Sequence, residues 1–141
     1  LEPRVSLITL GVADLGRARA FYEALGWKAS AIGGGEVVFF QGLGLALSLF
    51  PRESLAADAG VSSAGGGFAA IALAHNVRTR EEVAAVLAEA EAAGGSLIKA
   101  STAAPWGGQS GYFADPDGHL WEVAWNPHLA LDEKGALILP G

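Results

Sequence analysis

Apolar residues in the first 50 positions follow two different spacings. Residues 4–12 (RVSLITLGV) are rich in β-branched side chains, which favours a strand. From Leu15 to Leu25 the apolar positions recur every three or four residues, which indicates an amphipathic helix. Asp14 is expected to cap this helix and Gly26 to end it. Three further strands are predicted at residues 27–32, 36–41 and 45–50.

The same order of patterns returns in the second half of the chain. Residues 68–77 predict a strand, and Thr79 to Glu82 form a capping box that begins the next helix. Glycines at 94 and 95 are expected to end that helix. Three strands then follow at residues 96–103, 109–114 and 119–126. The repeat predicts an α+β fold of two tandem βαβββ modules.

The boundaries of these modules follow from changes in composition. We expect a first module at residues 1–50, a connector at 51–65, a second module at 66–127 and a tail at 128–141. The connector is rich in alanine, serine and glycine, with room for a short helical turn. The tail contains Glu133-Lys134-Gly135, which could turn it back into a short edge strand.

Composition narrows the class of protein. The 141 residues are 51% hydrophobic and 17% charged, which excludes intrinsic disorder. The net charge of −6 disfavours nucleic acid as a partner, because such binding depends on a basic surface. The longest uncharged apolar run, residues 42–51, is far shorter than the ~20 residues of a membrane helix, and a retained signal peptide is not expected. The absence of cysteine removes disulfides and thiolate chemistry and permits the cytoplasmic location that we expect.

Two motifs carry a family resemblance. The first runs from Val12-Ala13-Asp14-Leu15 through Phe21-Tyr22, and the second is residues 111–122 (GYFADPDGHLWE). At the two ends of a doubled strand–helix–three-strand order, they resemble the vicinal oxygen chelate superfamily. That superfamily includes glyoxalase, extradiol dioxygenases, fosfomycin-inactivating enzymes and bleomycin resistance proteins. The resemblance covers residues 4–127 and implies curved mixed sheets, one in each module, that together form a cleft.

The second motif also has a direct physical interpretation. Pro116 sets the backbone angle of a tight turn and Gly118 supplies its left-handed residue, so a hairpin is predicted. Alternation along the second strand places Trp121 and Val123 on one face and Glu122 on the other. The tryptophan face is expected to be the core face under a helix, so Glu122 should face the concave side.

The resemblance implies metal ligands on the first and last strands of each module. Glu122 matches one of these positions. The other positions carry apolar residues or a serine, at Leu7, at Ala70 or Ala72, and at Ser48. A catalytic divalent metal needs three or more protein ligands, so no cofactor is expected. His75 is a weak candidate ligand, but by alternation it shares the helix-facing side, and with Glu122 it makes only two.

The predicted cleft is lined by small and apolar side chains with a few polar groups, as small-molecule sites commonly are. Its expected lining residues are Leu7, Thr9, Ser48, Ala72, Trp106, Tyr112 and Glu122. Trp106 either places an indole at the mouth of this cleft or anchors its own loop. Glu122 would be a lone acid that partners a cationic or hydrogen-bonding group of a ligand. No residue is assigned a catalytic role.

Three functions are compatible with this pattern. The first is a metal-free protein that binds a small organic molecule. The second is a metal-dependent lyase, isomerase or dioxygenase with atypical ligands, for instance Glu122 and His75 plus residues of a partner chain. The third is a non-catalytic scaffold of the same fold. We also expect a homodimer, because each sheet has edges that need covering and two-fold pairing is the commonest soluble assembly.

Overall fold

The computed structural model describes the whole chain, residues 1–141, as two compact units. The first unit is Leu1–Ala69 and the second is Ala70–Gly141. Residues 51–65, predicted as a connector, therefore lie inside the first unit, and the predicted tail lies inside the second. No helix of the chain combines the length and apolar character needed to cross a membrane. The cytoplasmic location stays a prediction.

The first unit is a three-stranded mixed sheet with two helices. Its elements are β1 (Leu7–Val12), α1 (Leu15–Ala24), β2 (Val38–Gln41), β3 (Ala46–Pro51) and α2 (Arg52–Ala59). Strand β3 is central, parallel to β1 and antiparallel to β2. Phe21 and Tyr22 of α1 are buried, with their rings edge to face at 5.0 Å, and Tyr22 lies 5.9 Å from Phe40 of β2. These rings are the largest fully buried side chains in the core of the first unit.

The second unit is a four-stranded mixed sheet covered by one helix. Its elements are β4 (Leu73–Asn76), α3 (Arg80–Ala92), β5 (Ser96–Ala103), β6 (Gln109–Ala114), β7 (Leu120–Trp125), β8 (Ala130–Leu131) and β9 (Leu137–Ile138). The strand order is β4-β7-β6-β5, with β4 and β7 parallel and the other pairs antiparallel. The short strands β8 and β9 form a separate hairpin. The predicted α+β class with mixed sheets is confirmed, and this unit has the predicted order of strand, helix and three strands.

Helix α3 packs directly on one face of the second sheet. Val83 and Leu87 of α3 are buried. A Cβ atom added at Gly111 of β6 would lie only 2.5 Å from Cδ1 of Leu87, so glycine at this position lets the helix approach closely. Because residues alternate along β6 and β7, Gly111 identifies the face under α3, and Tyr112 and Glu122 belong to the opposite face.

Two of the predicted strands differ from the structure by more than three residues. Residues 27–32 were expected to form a strand, but they contribute a single bridge between Ala29 and Phe40. The three glycines that follow, at 33–35, all have positive φ and bend the chain away from a second pairing. The strand predicted at 68–77 begins only at Leu73, because Ala70 takes a φ of 59°, a left-handed conformation that interrupts an extended backbone.

The connector and the second helix start also differ in detail. Residues 52–59 form a regular helix rather than a single turn, and Gly60 ends it at φ 72°. Helix α3 begins after Thr79 as predicted, but the reciprocal capping-box bonds are absent. The Thr79 hydroxyl donates to the Glu82 carboxylate at 3.2 Å, and that carboxylate accepts from the backbone N–H of Arg78 at 3.4 Å. By contrast, Asp14 caps α1 as predicted, accepting from the N–H of Arg17 at 2.9 Å.

Candidate functional site

A tight turn fixes the position of the candidate site in the second unit. The N–H of Gly118 donates to the carbonyl oxygen of Asp115 at 3.0 Å, and Gly118 has a φ of 86°. The buried Asp115 carboxylate accepts from the N–H groups of Asp117 and His119, both at 2.9 Å. These bonds set the register of β6 against β7. The role of Asp115 was not identified from the sequence. The signal was present, because an aspartate side chain in a turn commonly accepts from the backbone N–H two residues later.

Tyr112 and Glu122 form the centre of the site. The register pairs them across β6 and β7, and the Tyr112 hydroxyl lies 3.1 Å from Oε2 of Glu122, to which it donates. Both side chains are half-buried. On the other side of Glu122 the register partner is Ala74 of β4, whose methyl group leaves space beside the carboxylate. The result is an acid and a phenol on the sheet face opposite α3.

The environment raises the pKa of the phenol. Burial raises the pKa of Tyr112 above its usual value of 10.0, and the negative charge of Glu122 and its hydrogen bond raise the pKa further. The hydroxyl of a tyrosine is protonated at neutral pH in any case, and the raised pKa keeps the Tyr112 hydroxyl a donor to the Glu122 carboxylate at more alkaline pH as well. The second carboxylate oxygen of Glu122 can accept from a ligand group.

Replacing Glu122 by glutamine should lower the pKa of Tyr112 towards 10 without reaching it. The substitution removes the nearby negative charge and the charged acceptor, whereas the burial that raises the pKa remains. The measurement is a titration of phenolate absorbance, with Tyr112→Phe subtracted to remove the signal of Tyr22, the other tyrosine. An unchanged pKa for Tyr112 in Glu122→Gln would show that the two groups do not interact in solution.

Further polar groups lie on the same face in the neighbouring row. The register joins Asn76 of β4 to Ala124 of β7, Ala124 to Ser110 of β6, and Ser110 to Thr102 of β5. Cross-strand partners present their side chains on the same face. The face therefore carries an amide and two hydroxyls beside the acid and the phenol, with alanines between them.

A matching row in the first unit carries hydroxyl groups instead. Thr9 of β1 and Ser48 of β3 are register partners, and their hydroxyl oxygens lie 2.6 Å apart. Ser48 is buried, and its other partner is Phe39 of β2. By chain order Ser48 corresponds to Glu122 and Thr9 to Ala74. One hydroxyl donates to the other, and the row of Thr9, Ser48 and Phe39 carries no charged group.

The remaining predicted lining residues lie apart from these pairs. Leu7 begins β1 and is 41% exposed, and Ala72 is exposed and precedes β4. Trp106 lies in the β5–β6 loop, where an added Cβ at Gly108 would come within 2.0 Å of its ring. This contact favours its interpretation as a loop anchor. His75 is exposed and pairs with Val123, which places it on the α3 side of β4.

Comparison with known proteins gives the family of the chain. Residues 4–123 match the model of the Glyoxalase/Bleomycin resistance protein/Dioxygenase superfamily. The chain belongs to this superfamily. A search of curated proteins gave no match.

Solved structures of this superfamily share the fold. A glyoxalase-related enzyme from Fulvimarina pelagi is 38% identical, with 99% of each chain covered and a TM-score of 0.89. A lactoylglutathione lyase from Agrobacterium tumefaciens is 25% identical, with 89% of this chain and 96% of that chain covered and a TM-score of 0.67. A family enzyme from Burkholderia phytofirmans PsJN is 18% identical, with 86% and 98% covered and a TM-score of 0.77, which shows the fold alone.

The divalent metal of many superfamily members does not fit the residues of this chain. No group of three or more histidine, aspartate or glutamate side chains is placed to hold a metal ion. Glu122 has Tyr112 and Ala74 as its register partners. One carboxylate with a phenol and a methyl group is not the donor set of a catalytic divalent metal, which takes three protein ligands.

Proposed function

We propose that this superfamily member is a metal-free protein that binds a small organic molecule through Glu122 and Tyr112. The supporting observation is the 3.1 Å hydrogen bond from the Tyr112 hydroxyl to Glu122, on a sheet face with small neighbours. A half-buried carboxylate with one oxygen held by a phenol offers its other oxygen to a ligand. Such an oxygen prefers a protonated amine or another strong hydrogen-bond donor.

Chemistry of the surrounding face supports a polar ligand. The half-buried amide of Asn76 and the exposed hydroxyl of Thr102 lie in the adjacent row, whose residue on β7, Ala124, is two positions from Glu122. Small-molecule sites combine space with a few well-placed polar groups. The exposed Ala74 supplies space beside Glu122, whereas Ala124 and Ser110 are buried. The ligand proposed for this face is therefore a small molecule with a cationic group and further hydrogen-bonding groups.

Glu122→Gln should weaken binding of a cationic probe by about 1.5–3 kcal/mol, because it removes a charge-assisted hydrogen bond. The probe is hexylamine, titrated into isotope-labelled protein and followed by the amide NMR signals of residues 112 and 122, with hexanoate as the probe of opposite charge. The midpoint of denaturant unfolding should stay nearly constant, because glutamine keeps the shape of the side chain. Glu91→Gln, at an exposed acid in α3, is the matched control and should leave hexylamine binding unchanged.

Two outcomes would contradict the proposal. Hexylamine that leaves the signals of Tyr112 and Glu122 unmoved would favour a scaffold function. Elemental analysis that finds stoichiometric divalent metal in the purified protein, lost in Glu122→Gln, would favour a metal-dependent enzyme and overturn the metal-free part of the proposal.

We also propose that the protein acts as a homodimer. Strands β1 and β2 are the edges of the first sheet, and β4 and β5 are the edges of the second. Large apolar side chains are exposed at or beside these edges, including Leu7 and Ile71 at 41% and 68%. Exposed apolar edges promote association unless they are covered. Sedimentation velocity at tens of micromolar should give the mass of two chains, and a single species with the mass of one chain would exclude the dimer.

A further inference from the structure

We propose that Lys99 is a second recognition group of the Glu122 site, so that the preferred ligand is a zwitterion. The ammonium group of this ligand contacts Glu122, and the carboxylate of the ligand contacts Lys99. This inference rests on the proposed function, because it adds a second charged contact for the same ligand. Lys99 was not among the candidate residues that the sequence pattern identified.

The register places Lys99 in the same row as the acid and the phenol. Lys99 of β5 pairs with Tyr112 of β6, Tyr112 pairs with Glu122 of β7, and Glu122 pairs with Ala74 of β4. Since cross-strand partners share a face, one line across the sheet carries a cation, a phenol and an anion. Neighbouring strands lie about 4.8 Å apart, so the backbones of Lys99 and Glu122 are separated by about 9.5 Å, with Tyr112 between them.

The pairing of β5 with β6 is irregular on both sides of Lys99. The register of β5 against β6 shifts between Leu97 and Lys99, and shifts again between Lys99 and Thr102. Such irregularities re-aim side chains and are common next to functional sites. Between the two shifts, Lys99 keeps its pairing with Tyr112. Lys99 therefore lies in the same row as the half-buried pair Tyr112 and Glu122.

The charges on this row are complementary to a zwitterion. The chain has three lysines, and the other two are Lys28 in the first unit and Lys134 in the turn of the β8–β9 hairpin. The Lys99 side chain is exposed, and Glu122 is hydrogen-bonded to Tyr112. Because the phenol separates the two charges, a ligand with an ammonium at one end and a carboxylate at the other would contact both.

A lysine on an edge strand also has a simpler explanation. Strand β5 is at the edge of its sheet, and a charge on an edge strand discourages pairing with other chains. That role requires only a charge and predicts reduced solubility in its absence, with no change in ligand preference. Recognition of a carboxylate predicts a change in ligand preference, so binding measurements separate the two roles.

The test compares three probes with six carbons each: 6-aminohexanoate, hexylamine and hexanoate. Dissociation constants come from NMR titration of the full-length protein, read at the amides of residues 99, 112 and 122. In the wild type, 6-aminohexanoate should bind about tenfold more tightly than hexylamine, the gain from one further charge-assisted hydrogen bond.

Substitutions at Lys99 should act on the zwitterion alone. Lys99→Gln should remove the tenfold advantage and leave hexylamine binding unchanged or slightly tighter, because a like charge has been removed. Lys99→Arg should keep part of the advantage, since it keeps the charge. Lys134→Gln is the matched control, and it should keep the whole advantage.

Other results would contradict either the role of Lys99 or the proposed function itself. Equal affinity of the wild type for 6-aminohexanoate and hexylamine, or an equal loss of both in Lys99→Gln, would overturn the role of Lys99. In those cases hexylamine binding that depends on Glu122 would still support the proposed function. If hexylamine and 6-aminohexanoate both leave residues 112 and 122 unmoved, the proposed function fails and the role of Lys99 fails with it.

Discussion

Phe21→Ala is expected to lower the free energy of unfolding by about 3–5 kcal/mol, the range typical of deleting a buried aromatic ring. Phe21 is 2% exposed and lies at the centre of the apolar stripe of α1. Its ring packs edge to face against Tyr22 at 5.0 Å. Alanine would leave a cavity in the core of the first unit and would remove this aromatic contact. The loss is measured by denaturant unfolding followed by far-ultraviolet circular dichroism.

An exposed apolar residue of the same unit provides the control for Phe21. Leu43 lies between β2 and β3 and is 56% exposed. Leu43→Ala should change the free energy of unfolding by about 0.5 kcal/mol or less, because surface substitutions away from special features have small effects. Similar losses for Phe21→Ala and Leu43→Ala would mean that the buried face of α1 is assigned wrongly.

Features that depend on local sequence were predicted well. The buried residues of α1 are Ala18, Phe21 and Tyr22, all within the predicted stripe. Gly26 and Gly94 follow the ends of α1 and α3 with φ angles of 98° and 110°. Helix periodicity, capping and glycine stops act over a few residues, so one chain segment contains the information needed.

Features that depend on pairing between distant segments were predicted less well. The pattern at residues 27–32 suits a strand, but Gly33 to Gly35 turn the chain after a single bridge. The pattern at 68–77 suits a longer strand than β4, and the left-handed Ala70 could not be foreseen from an alanine. Thr79 and Glu82 bond to each other rather than to the helix backbone. In each case the outcome depends on contacts that a local pattern does not contain.

In the candidate site, too, local features were predicted and features that depend on distant strands were not. The Asp115–Gly118 turn is local, so the face of Glu122 followed from counting along β7. Its hydrogen bond with Tyr112 required the register of β6, which that turn also sets. Lys99 lies on β5, across a loop and two register shifts, so counting from the sequence could not place it beside Tyr112. A prediction that depends on one hairpin is therefore safer than one that depends on three strands.

Trp121→Ala is expected to cost about 3–5 kcal/mol of unfolding free energy, because the indole is almost fully buried. Trp121 is 9% exposed, and its ring stacks on Phe113 with centroids 6.0 Å apart and planes 4° from parallel. Both residues lie on the α3 side of the sheet, as Gly111 does. Circular dichroism during denaturation gives the loss without relying on tryptophan fluorescence.

Trp106→Ala is the matched control, since it removes the same side chain from a position that is 43% exposed. Its expected cost is smaller, about 1 kcal/mol, because the partly exposed indole packs only on its own loop at Gly108. The comparison also tests the site, because Trp121 and Glu122 are adjacent and point to opposite faces of β7. A small loss for Trp121→Ala would place the indole outside the core. Glu122 and its register partner Tyr112 would then lie on the face under α3, where a ligand could not be accommodated, and this result would contradict the proposed function.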